Sequence, residues 1–508
     1  MISKVLSATV IGLEAQLVHV EIHFSKGKSK FFIVGLPDKA CSESKERVTA
    51  IVKNFLGHSL PPGTVTVNLA PADIQKSGPF YDLPIAIGIL NSFGNIDFNP
   101  EGKLLIGELS LDGKARHTNA ILPIADLARK KGIEKVFVPE TNACEASLIP
   151  KVKVVPVNNL SQLVEHINGE QKIKLLKTKK GFRQSTSEVN VTYDMSYVKG
   201  QSQAKRALEI AAAGGHNLLM SGSPGSGKTM LARTLPTILP RLTIDESLEV
   251  TRIYSVAGLL SNSKGLVCIR PFRKPHHTIS HVALVGGGTI PSPGEISLAH
   301  RGVLFLDEFS EFSNKALEAL RQPLEDGVIT ISRAKGTLTF PAKLMLIAAM
   351  NPCKCGWFGD TKKQCTCSPS EIIRYKKKIS GPVLDRIDMQ INVRRVEYEK
   401  IKSKVIGQKS ISIRKKVQQA RNIQLERFKG TNILSNAEMT QKEVQEYLHL
   451  DRKCNLLLKK AMNTINFSAR GYFRLLKVSR TIADLEEKDS IISNHIAEAL
   501  SFRMNEEN

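Results

Sequence analysis

The stretch GSPGSGKTMLARTL, residues 222–235, decides what kind of fold this chain adopts. Its two outer glycines, with Lys228 and Thr229 after them, satisfy the pattern G-x-x-x-x-G-K-[ST], which is typical of a loop that holds nucleotide phosphates. The flanks agree, because HNLLMS ahead is a short apolar strand and KTMLARTLPTIL behind is helical. The pattern therefore predicts a strand, a phosphate-binding loop and a helix within an α/β fold.

Each part of this loop has a chemical role. Glycines let backbone N–H groups approach phosphate oxygens, and the amino end of the following helix favours negative charge. Lys228 is predicted to reach the β- and γ-phosphates of ATP, and the Thr229 hydroxyl to bind Mg²⁺. The predicted phosphate-binding set is Gly222, Ser223, Pro224, Gly225, Ser226, Gly227, Lys228 and Thr229.

A hydrolytic site of this kind also needs carboxylates at the end of a neighbouring buried strand, and GVLFLDE supplies them. Asp307 is predicted to hold Mg²⁺ together with Thr229, and Glu308 to orient or deprotonate the attacking water. A later apolar strand, KLMLIAAMN, ends in Asn351. Asn351 is a candidate polar sensor beside the γ-phosphate, and its alternative is an ordinary turn residue.

Composition narrows the class of protein. The 508 residues include 72 Lys and Arg against 48 Asp and Glu, a formal charge of +24, which favours a polyanionic partner such as nucleic acid. The longest wholly apolar run, residues 344–350, is far shorter than the roughly 20 residues that a membrane-spanning helix needs. The N-terminus lacks the pattern of a signal peptide. We therefore expect a cytoplasmic protein with no membrane partner.

Patterning along the chain divides it into four regions. Residues 1–168 alternate strand-like and helical stretches and are expected to form an α/β domain. Residues 169–194 are polar and basic without periodicity, which is typical of a linker. Residues 195–396 form a second α/β region around the phosphate loop. Residues 397–508 are mostly helical, because apolar positions recur there at spacings of three and four.

Between the two strands that carry the acidic and amide residues lies GVITISRAKGTLTF, residues 327–340. Two alternating, β-rich arms flank a basic turn, which predicts a hairpin whose tip carries Arg333 and Lys335. These two side chains are candidates for contacting nucleic-acid phosphates. The alternative is a surface hairpin that binds no ligand.

Four of the eight cysteines fall within residues 353–367 in the pattern C-x-C and C-x-C. Four thiolates can close a tetrahedral Zn²⁺ site, and sulfur ligation with no open position indicates a structural rather than a catalytic metal. Transient disulfide chemistry and free thiols are the alternatives. The predicted zinc ligands are Cys353, Cys355, Cys365 and Cys367.

Several long stretches, in this order, closely resemble the YifB/ComM family of magnesium-chelatase-like AAA+ ATPases. They are VKGQSQAKRALEIAAAGGHNLLMSGSPGSGKTMLA, PHHTISHVALVGGGTIPSPGEISLAHRGVLFLDE, AAMNPCKCG and SGPVLDRIDMQINV. The resemblance covers essentially the whole chain. It implies a homo-oligomeric ring, a hexamer, with ATP held between subunits.

The resemblance also implies roles for residues outside the phosphate loop. Arg386 in LDRID matches the arginine finger that reaches the γ-phosphate of the neighbouring subunit, although on sequence alone it could pair with an adjacent aspartate. Arg470 matches the sensor-two arginine of the helical lid, and Arg474, one turn further on, is the alternative. Val198 and Gln201 match the segment that borders the adenine.

The N-terminal domain resembles the Lon protease catalytic domain over APADIQKSGPFYDLPIAIGIL and the stretch that begins GELSLDGKARHTNAILPIADLA. In that family a serine after a Gly-Pro pair attacks the peptide bond, and a later lysine activates it. Here Phe80 follows the Gly-Pro pair, and LPI stands at residues 122–124 where the lysine is expected. We therefore expect a Lon-like α/β domain without the protease dyad, a P-loop AAA+ core with a parallel sheet, and a C-terminal helical lid.

The function that the resemblance implies is an ATP-driven ring that remodels single-stranded or branched DNA, with helicase-like branch migration during natural transformation. The alternative is a protein-remodelling AAA+ chaperone related to the magnesium chelatase motor subunit. The basic hairpin tip has no aromatic residue, which favours the DNA motor. The stretch IRPFRKPHHTISH has no assigned chemistry, and packing, DNA contact or a metal site are its alternatives.

Overall fold

The computed structural model describes residues 2–76, 78, 80–176, 193–260, 265–288, 291–333, 336–397, 402, 407–464 and 468–503. The chain forms two compact units. Unit 1 contains Met1–Ser185 and Ser247–Val267, and unit 2 contains Thr186–Glu246 and Cys268–Asn508. Within the described stretches, no helix combines the length and the apolar character needed to cross a membrane.

Unit 1 is a mixed α/β structure. Its strands are β1 (Ile2–Ile11), β2 (Glu14–Lys26), β3 (Lys30–Val34), β4 (Gly63–Ala70), β5 (Lys103–Leu105), β6 (Glu108–Leu109), β7 (Ala115–Arg116), β8 (Lys135–Pro139) and β9 (Lys153–Val157). Its first five helices are α1 (Lys39–Leu56), α2 (Asp82–Ser92), α3 (Ile121–Lys130), α4 (Glu140–Ala146) and α5 (Leu160–Asn168). One sheet has the order β1-β2-β4-β3, a second has the order β5-β8-β9, and β6 pairs with β7.

Local sequence signals explain where the helices of unit 1 begin and end. The Asp38 side chain accepts a hydrogen bond from the backbone N–H of Cys41 at 2.7 Å and caps α1, and Gly57 ends that helix in the left-handed conformation. α2 is apolar and buried along nearly its whole length, and it packs on β1 and β2. A Cβ at Gly88 would lie 2.2 Å from the end of the Ile22 side chain, so a larger residue would require that side chain to shift.

Unit 2 is larger and contains the predicted phosphate loop. Its strands are β10 (Leu218–Ser221), β11 (Phe272–Arg273), β12 (Gly286–Gly287), β13 (Ser292–Pro293), β14 (Val303–Leu306), β15 (Val328–Arg333), β16 (Gly336–Pro341), β17 (Met345–Met350) and β18 (Met389–Asn392). Its helices are α6 (Ser202–Gly214), α7 (Lys228–Thr234), α8 (Ile244–Val256), which ends in unit 1, α9 (His281–Val285), α10 (Glu295–Leu298), α11 (Asn314–Glu318), α12 (Arg321–Asp326), α13 (Pro369–Lys376), α14 (Gly381–Leu384), α15 (Ser410–Arg427), α16 (Gln441–Tyr447), α17 (Arg452–Thr464), α18 (Ala469–Leu485) and α19 (Ser493–Ser501).

A five-stranded parallel sheet with the order β11-β14-β17-β10-β18 forms the centre of unit 2. β14 and β17 are buried at every position, as expected for strands covered on both faces. Because all five strands run in one direction, the residues that follow them meet at the carboxyl edge of the sheet. Residues that precede the strands lie at the opposite, amino edge.

The C-terminal helices pack on the same core. α6 packs against α15 and α18, and α18 packs against α19. The predicted fold class, an α/β chain with a parallel sheet behind the phosphate loop and a helical C-terminal part, is confirmed. The sequence analysis assigns residues 247–267 to the second α/β region, residues 195–396, whereas the structure groups them with unit 1.

Candidate nucleotide-binding site

Three neighbouring strands bring the predicted site residues to the carboxyl edge of the sheet. β10 is paired in register with β17, so that Ser221 lies beside Met350, and β14 is paired with the other side of β17. The phosphate loop therefore begins next to Asn351, and Asp307 follows β14 on the other side. The sequence prediction grouped these three segments from the phosphate-loop motif, from apolar runs that end in polar residues and from their order along the chain.

Lys228 is buried at the first position of α7, at the base of the phosphate loop. Its Nζ donates to the carbonyl oxygens of Gly222 at 2.5 Å and Ser223 at 3.0 Å, and lies 3.3 Å from the Asn351 side-chain oxygen. Burial lowers the pKa of Lys228 to about 8, and the Asp307 carboxylate opposes that shift. A phosphate anion beside Nζ would favour the charged ammonium.

Thr229 and Asp307 form the predicted metal pair. The Thr229 hydroxyl donates to the Asp307 carboxylate at 3.0 Å. A hydroxyl and a carboxylate are hard oxygen ligands of the kind Mg²⁺ takes, alongside water and substrate phosphates. The donor set present in the structure therefore fits Mg²⁺.

The loop is held against the last strand of the sheet. A Cβ at Gly222 would lie 2.3 Å from the carbonyl oxygen of Val393. The backbones of residues 222 and 393 are therefore in direct contact, and only glycine fits at position 222. Gln201 also reaches this region, because its amide donates to the carbonyl oxygens of Ser226 at 3.1 Å and Arg394 at 2.6 Å. Val198 is buried three residues earlier. The predicted adenine-bordering segment therefore adjoins the phosphate loop.

Glu308 differs from the other residues of this edge in its backbone and exposure. Its φ of 54° lies in the left-handed region, which is unusual for a residue with a side chain. The side chain is 58% exposed, and one carboxylate oxygen lies 3.0 Å from Nδ1 of His277. Lys274 similarly lies 3.0 Å from the Asp307 carboxylate. Sequence reasoning missed both contacts, although KPHH was singled out as a stretch without assigned chemistry.

The predicted arginine finger, Arg386, and the predicted sensor-two arginine, Arg470, share one carboxylate. Arg386 donates to Glu325 and, at 2.7 Å, to the Pro382 carbonyl oxygen. Arg470 donates to the other Glu325 oxygen at 2.7 Å, whereas Arg474 lies 3.5 Å from Asp388. Burial lowers the pKa of Arg386, and the positive charges of nearby arginines, Arg470 first, add to that effect.

These arginines lie at the amino edge of the sheet, opposite the phosphate loop. A cavity of about 600 Å³ is lined by Glu325 and Arg470 together with residues that directly precede four strands. Those residues are Asn217, Gly302, Leu344 and Asp388. The side-chain amide of Asn217 also donates to the Arg386 carbonyl at 3.1 Å, which ties that segment to the same edge.

The four predicted zinc ligands converge. Their sulfur atoms all lie within 4.8 Å of one another, and three of the separations are 3.3, 3.5 and 3.7 Å. Zn–S bonds in a tetrahedral site place sulfur atoms about 3.8 Å apart, so this cluster fits zinc. A hydrogen bond from the backbone N–H of Trp357 lowers the pKa of the Cys355 thiol to about 5, which favours its thiolate. At Cys365 and Cys367 the backbone hydrogen bonds are outweighed by burial and by the neighbouring Cys355 and Cys353 sulfur atoms, which raise the pKa of both thiols.

The segment that carries these cysteines, residues 353–367, packs on the phosphate loop. A Cβ at Gly356 would lie 2.7 Å from the Pro224 side chain, so the two turns touch. The Arg395 guanidinium lies over the Trp357 ring at 4.8 Å, and its Nε is 3.3 Å from the Asp360 carboxylate. The cysteine segment and the phosphate loop are therefore in direct contact.

Comparison with known proteins shows which family this chain belongs to. Three family models match in succession: subunit ChlI of magnesium chelatase over residues 20–142, magnesium chelatase subunit ChlI over 194–401, and the ChlI C-terminal model over 407–503. Competence protein ComM of Haemophilus influenzae is 43% identical over 504 residues, which cover 98% of this chain and 97% of that protein. The chain belongs to the YifB/ComM family of magnesium-chelatase-like AAA+ ATPases.

Two further relatives are consistent with the family and with the N-terminal resemblance. YifB of Escherichia coli is 39% identical over 505 residues, which cover 99% of this chain and 97% of that protein. An archaeal Lon protease of Thermococcus kodakarensis is 24% identical over 159 residues, which cover 30% of this chain and 25% of the protease. In this family member, residues 122–124 are buried at the start of α3.

The predicted hairpin is present as β15 and β16. The two strands pair antiparallel from Val328 opposite Pro341 to Arg333 opposite Gly336. Arg333 is thus the last strand residue before the tip, and Lys335 lies outside the described residues. The role of this family member's hairpin in binding nucleic acid stays a prediction.

Proposed function

We propose that the protein is an ATP-hydrolysing motor that works as a ring of identical subunits, six by family resemblance, and remodels branched DNA. The observation that carries the proposal is the separation of the two halves of the catalytic apparatus. The phosphate loop lies at the carboxyl edge of the central sheet, and the Arg386 and Arg470 pair lies at the amino edge. A four-residue strand spans about 13 Å, so one subunit's arginines cannot meet the phosphates on its own loop.

The division of labour at the carboxyl edge follows from the contacts. Lys228 would leave its carbonyl partners to bind the β- and γ-phosphates, and Thr229 and Asp307 would hold Mg²⁺. The metal, when bound, neutralises charge that develops on the transferred phosphoryl group. Glu308 would orient and deprotonate the attacking water, with Asn351 beside the γ-phosphate.

A second subunit would complete the site. Arg386 and Arg470 already converge on one anion, each donating to a different oxygen of the Glu325 carboxylate, as two donors would do on two oxygens of one phosphate group. An arginine supplied to an NTPase site from a neighbour is worth roughly 10³ to 10⁵ in turnover. Head-to-tail contacts that repeat around an axis close into a ring, which supports the oligomer.

DNA is the partner that charge and relatives support. The net charge of +24 favours a polyanion, and Arg333 and Lys335, which the sequence predicts for the hairpin tip, are candidates for contacting phosphates within such a ring. A relative that shares nearly its full length with this chain is named a competence protein. We extend that to branch migration during integration of transforming DNA. The cysteine cluster would hold a structural Zn²⁺ beside the nucleotide.

The test is an ATP-dependent branch-migration assay on a synthetic three- or four-way junction. Wild type should convert the junction to products only with ATP and Mg²⁺, and Lys228→Ala should abolish conversion. The matched control is Lys429→Ala, which removes an exposed surface lysine and should leave activity unchanged. Vigorous ATP hydrolysis that no DNA stimulates, with no junction processing at any salt concentration, would refute the DNA motor and favour protein remodelling.

A further inference from the structure

The cavity at the amino edge of the sheet has more positive than negative side chains on its wall. The wall includes seven arginines and lysines but only five aspartates and glutamates. Six of these residues, four cations and two carboxylates, are linked by ion pairs or by electrostatic interaction, and we call them the amino-edge cluster. They are Glu246, Arg270, Arg301, Lys343, Arg421 and Glu438.

Three of the four cations already use both carboxylates of the cluster. Arg270 makes a two-point ion pair with Glu246, in which both nitrogen–oxygen distances are 2.9 Å. One oxygen of Glu438 accepts from Arg301 at 3.1 Å, and the other accepts from Lys343 at 3.0 Å. Each of the four carboxylate oxygens therefore has a cationic donor, and no carboxylate of the cluster is left for Arg421.

Arg421 is a buried cation without a carboxylate partner. Its two terminal nitrogens donate to the backbone carbonyl oxygens of Leu434 at 3.2 Å and Ala212 at 3.3 Å. The residue is only 7% exposed, and within the described stretches its Nε has no hydrogen-bond partner. Burial lowers the pKa of Arg421 to about 10, and nearby Arg270 adds to that effect, so the guanidinium stays charged at neutral pH. A buried charge without a counter-charge is costly.

We propose that the amino-edge cavity is a second anion-binding site, which takes a phosphate-class oxyanion against Arg421 and Lys343. The cavity volume of about 600 Å³ falls within the range of roughly 300–1,000 Å³ that is typical of small-molecule sites. A guanidinium donates to phosphate oxygens through a planar fork, and a lysine adds a point charge. A phosphate group carries roughly 1.5 to 2 negative charges near pH 7, which balances the excess of cations on the wall.

This site goes beyond the proposed function, because it requires neither ATP hydrolysis nor a ring. Its residues come from two parts of unit 2. Arg301 and Lys343 precede strands β14 and β17 of the central sheet, whereas Arg421 lies on α15 among the C-terminal helices. A bound anion would therefore connect the sheet to these helices, and we expect it to stabilise unit 2 against unfolding.

The experiment titrates inorganic phosphate into Lys228→Ala protein, in which the phosphate loop is disabled. Ionic strength is held constant with chloride, and binding is followed by calorimetry and by the midpoint of thermal unfolding. We expect saturable binding and a midpoint that rises with phosphate concentration. Adding Arg421→Met or Lys343→Met should weaken phosphate affinity roughly 10- to 100-fold, the equivalent of one hydrogen bond to a charged group.

Three further variants and ligands make the result specific. Lys429→Met removes the same charge from a lysine that is 77% exposed and should leave phosphate affinity unchanged. Glu438→Gln removes the carboxylate that Lys343 and Arg301 share and should tighten phosphate binding, which a disrupted cavity could not do. ADP is titrated in the same background: competition with inorganic phosphate assigns the site to the phosphates of a nucleotide, and no competition assigns it to the free ion.

The remaining outcomes decide against the site. Saturable phosphate binding in wild type but not in Lys228→Ala would place the anion on the phosphate loop, which overturns this inference and leaves the proposed function intact. Affinity that Lys343→Met leaves unchanged, that Lys429→Met lowers equally, or that Glu438→Gln weakens would also overturn it. Lys343 is 37% exposed, so Lys343→Met decides the question even if Arg421→Met fails to fold.

Discussion

Mixing two inactive variants gives the sharpest test of a site divided between subunits. Lys228→Ala disables the phosphate-loop half of the site, and Arg386→Ala disables the arginine half. Each variant alone should show very little ATP turnover, because the loop lysine contacts the phosphates and removal of a trans arginine costs roughly 10³ to 10⁵. In a mixed ring, some interfaces receive a wild-type loop from one subunit and a wild-type arginine from the next.

The size of the recovery follows from the opposite-edge geometry. Each interface draws its loop from one subunit and its arginine from another, so a random equal mixture makes both halves intact at about one interface in four. Turnover at fixed total protein should therefore rise to roughly a quarter of the wild-type value. The assay is steady-state phosphate release after the two variants have been mixed and left to exchange subunits.

The matched control mixes two variants whose substitutions both affect the same half of the site. Mixing Lys228→Ala with Glu308→Gln leaves no intact loop half, and mixing Arg386→Ala with Arg470→Ala leaves no intact arginine half. Neither mixture should recover. Equal recovery in these controls, or none in the mixture of opposite halves once subunit exchange is demonstrated by fluorescence transfer, would refute the divided site.

Further predictions concern the metal, the fold and DNA. Elemental analysis of reduced protein should find about one zinc per chain, and Cys365→Ser should remove it and weaken ADP binding, whereas exposed Cys144→Ser should do neither. Burial opposes ionisation of Asp388, but nearby His216 and Arg474 and a hydrogen bond from the backbone N–H of Asn217 hold its pKa below the usual value. The ionised Asp388 carboxylate therefore stabilises the folded state above about pH 4, and this stabilisation is lost as the pH falls further. Asp388→Asn should lower the free energy of unfolding by about 3 kcal/mol at pH 7, measured by urea denaturation. Arg333→Ala with Lys335→Ala should weaken DNA binding, and the slope of log affinity against log salt should become shallower by about 0.9 for each DNA phosphate that the protein no longer neutralises.

The sequence predicts the residues at the carboxyl edge of the sheet well, because each of them belongs to a short sequence motif. The loop lies between an apolar strand and a helix, and Asp307 and Asn351 each follow an uninterrupted apolar run. Buried parallel strands need such runs, and their ends meet at one edge. Strand order within the sheet did not have to be known for these residues to be grouped correctly.

The remaining contacts depend on pairings that no local pattern encodes. β11 is only two residues long, and its place beside β14 is what brings Lys274 and His277 to the acids. Glu325 lies in a short helix between two motifs, and its sequence neighbours give no sign that it holds two arginines. The grouping of residues 247–267 with unit 1 likewise depends on tertiary packing that helical periodicity does not report.

The shared carboxylate also bears on which lid arginine faces a neighbouring nucleotide. Arg470 and Arg474 are one turn apart on α18, and the sequence left both open. Arg474 lies near Asp388, a buried residue at the amino edge of the sheet. Arg470 donates to Glu325, and the Arg470 side chain is about half exposed. A buried ion pair is costly to break, because it leaves an uncompensated charge. Exchanging a partly exposed carboxylate for an incoming phosphate costs an exposed arginine far less, so we infer that Arg470, rather than Arg474, is the lid arginine able to change partners.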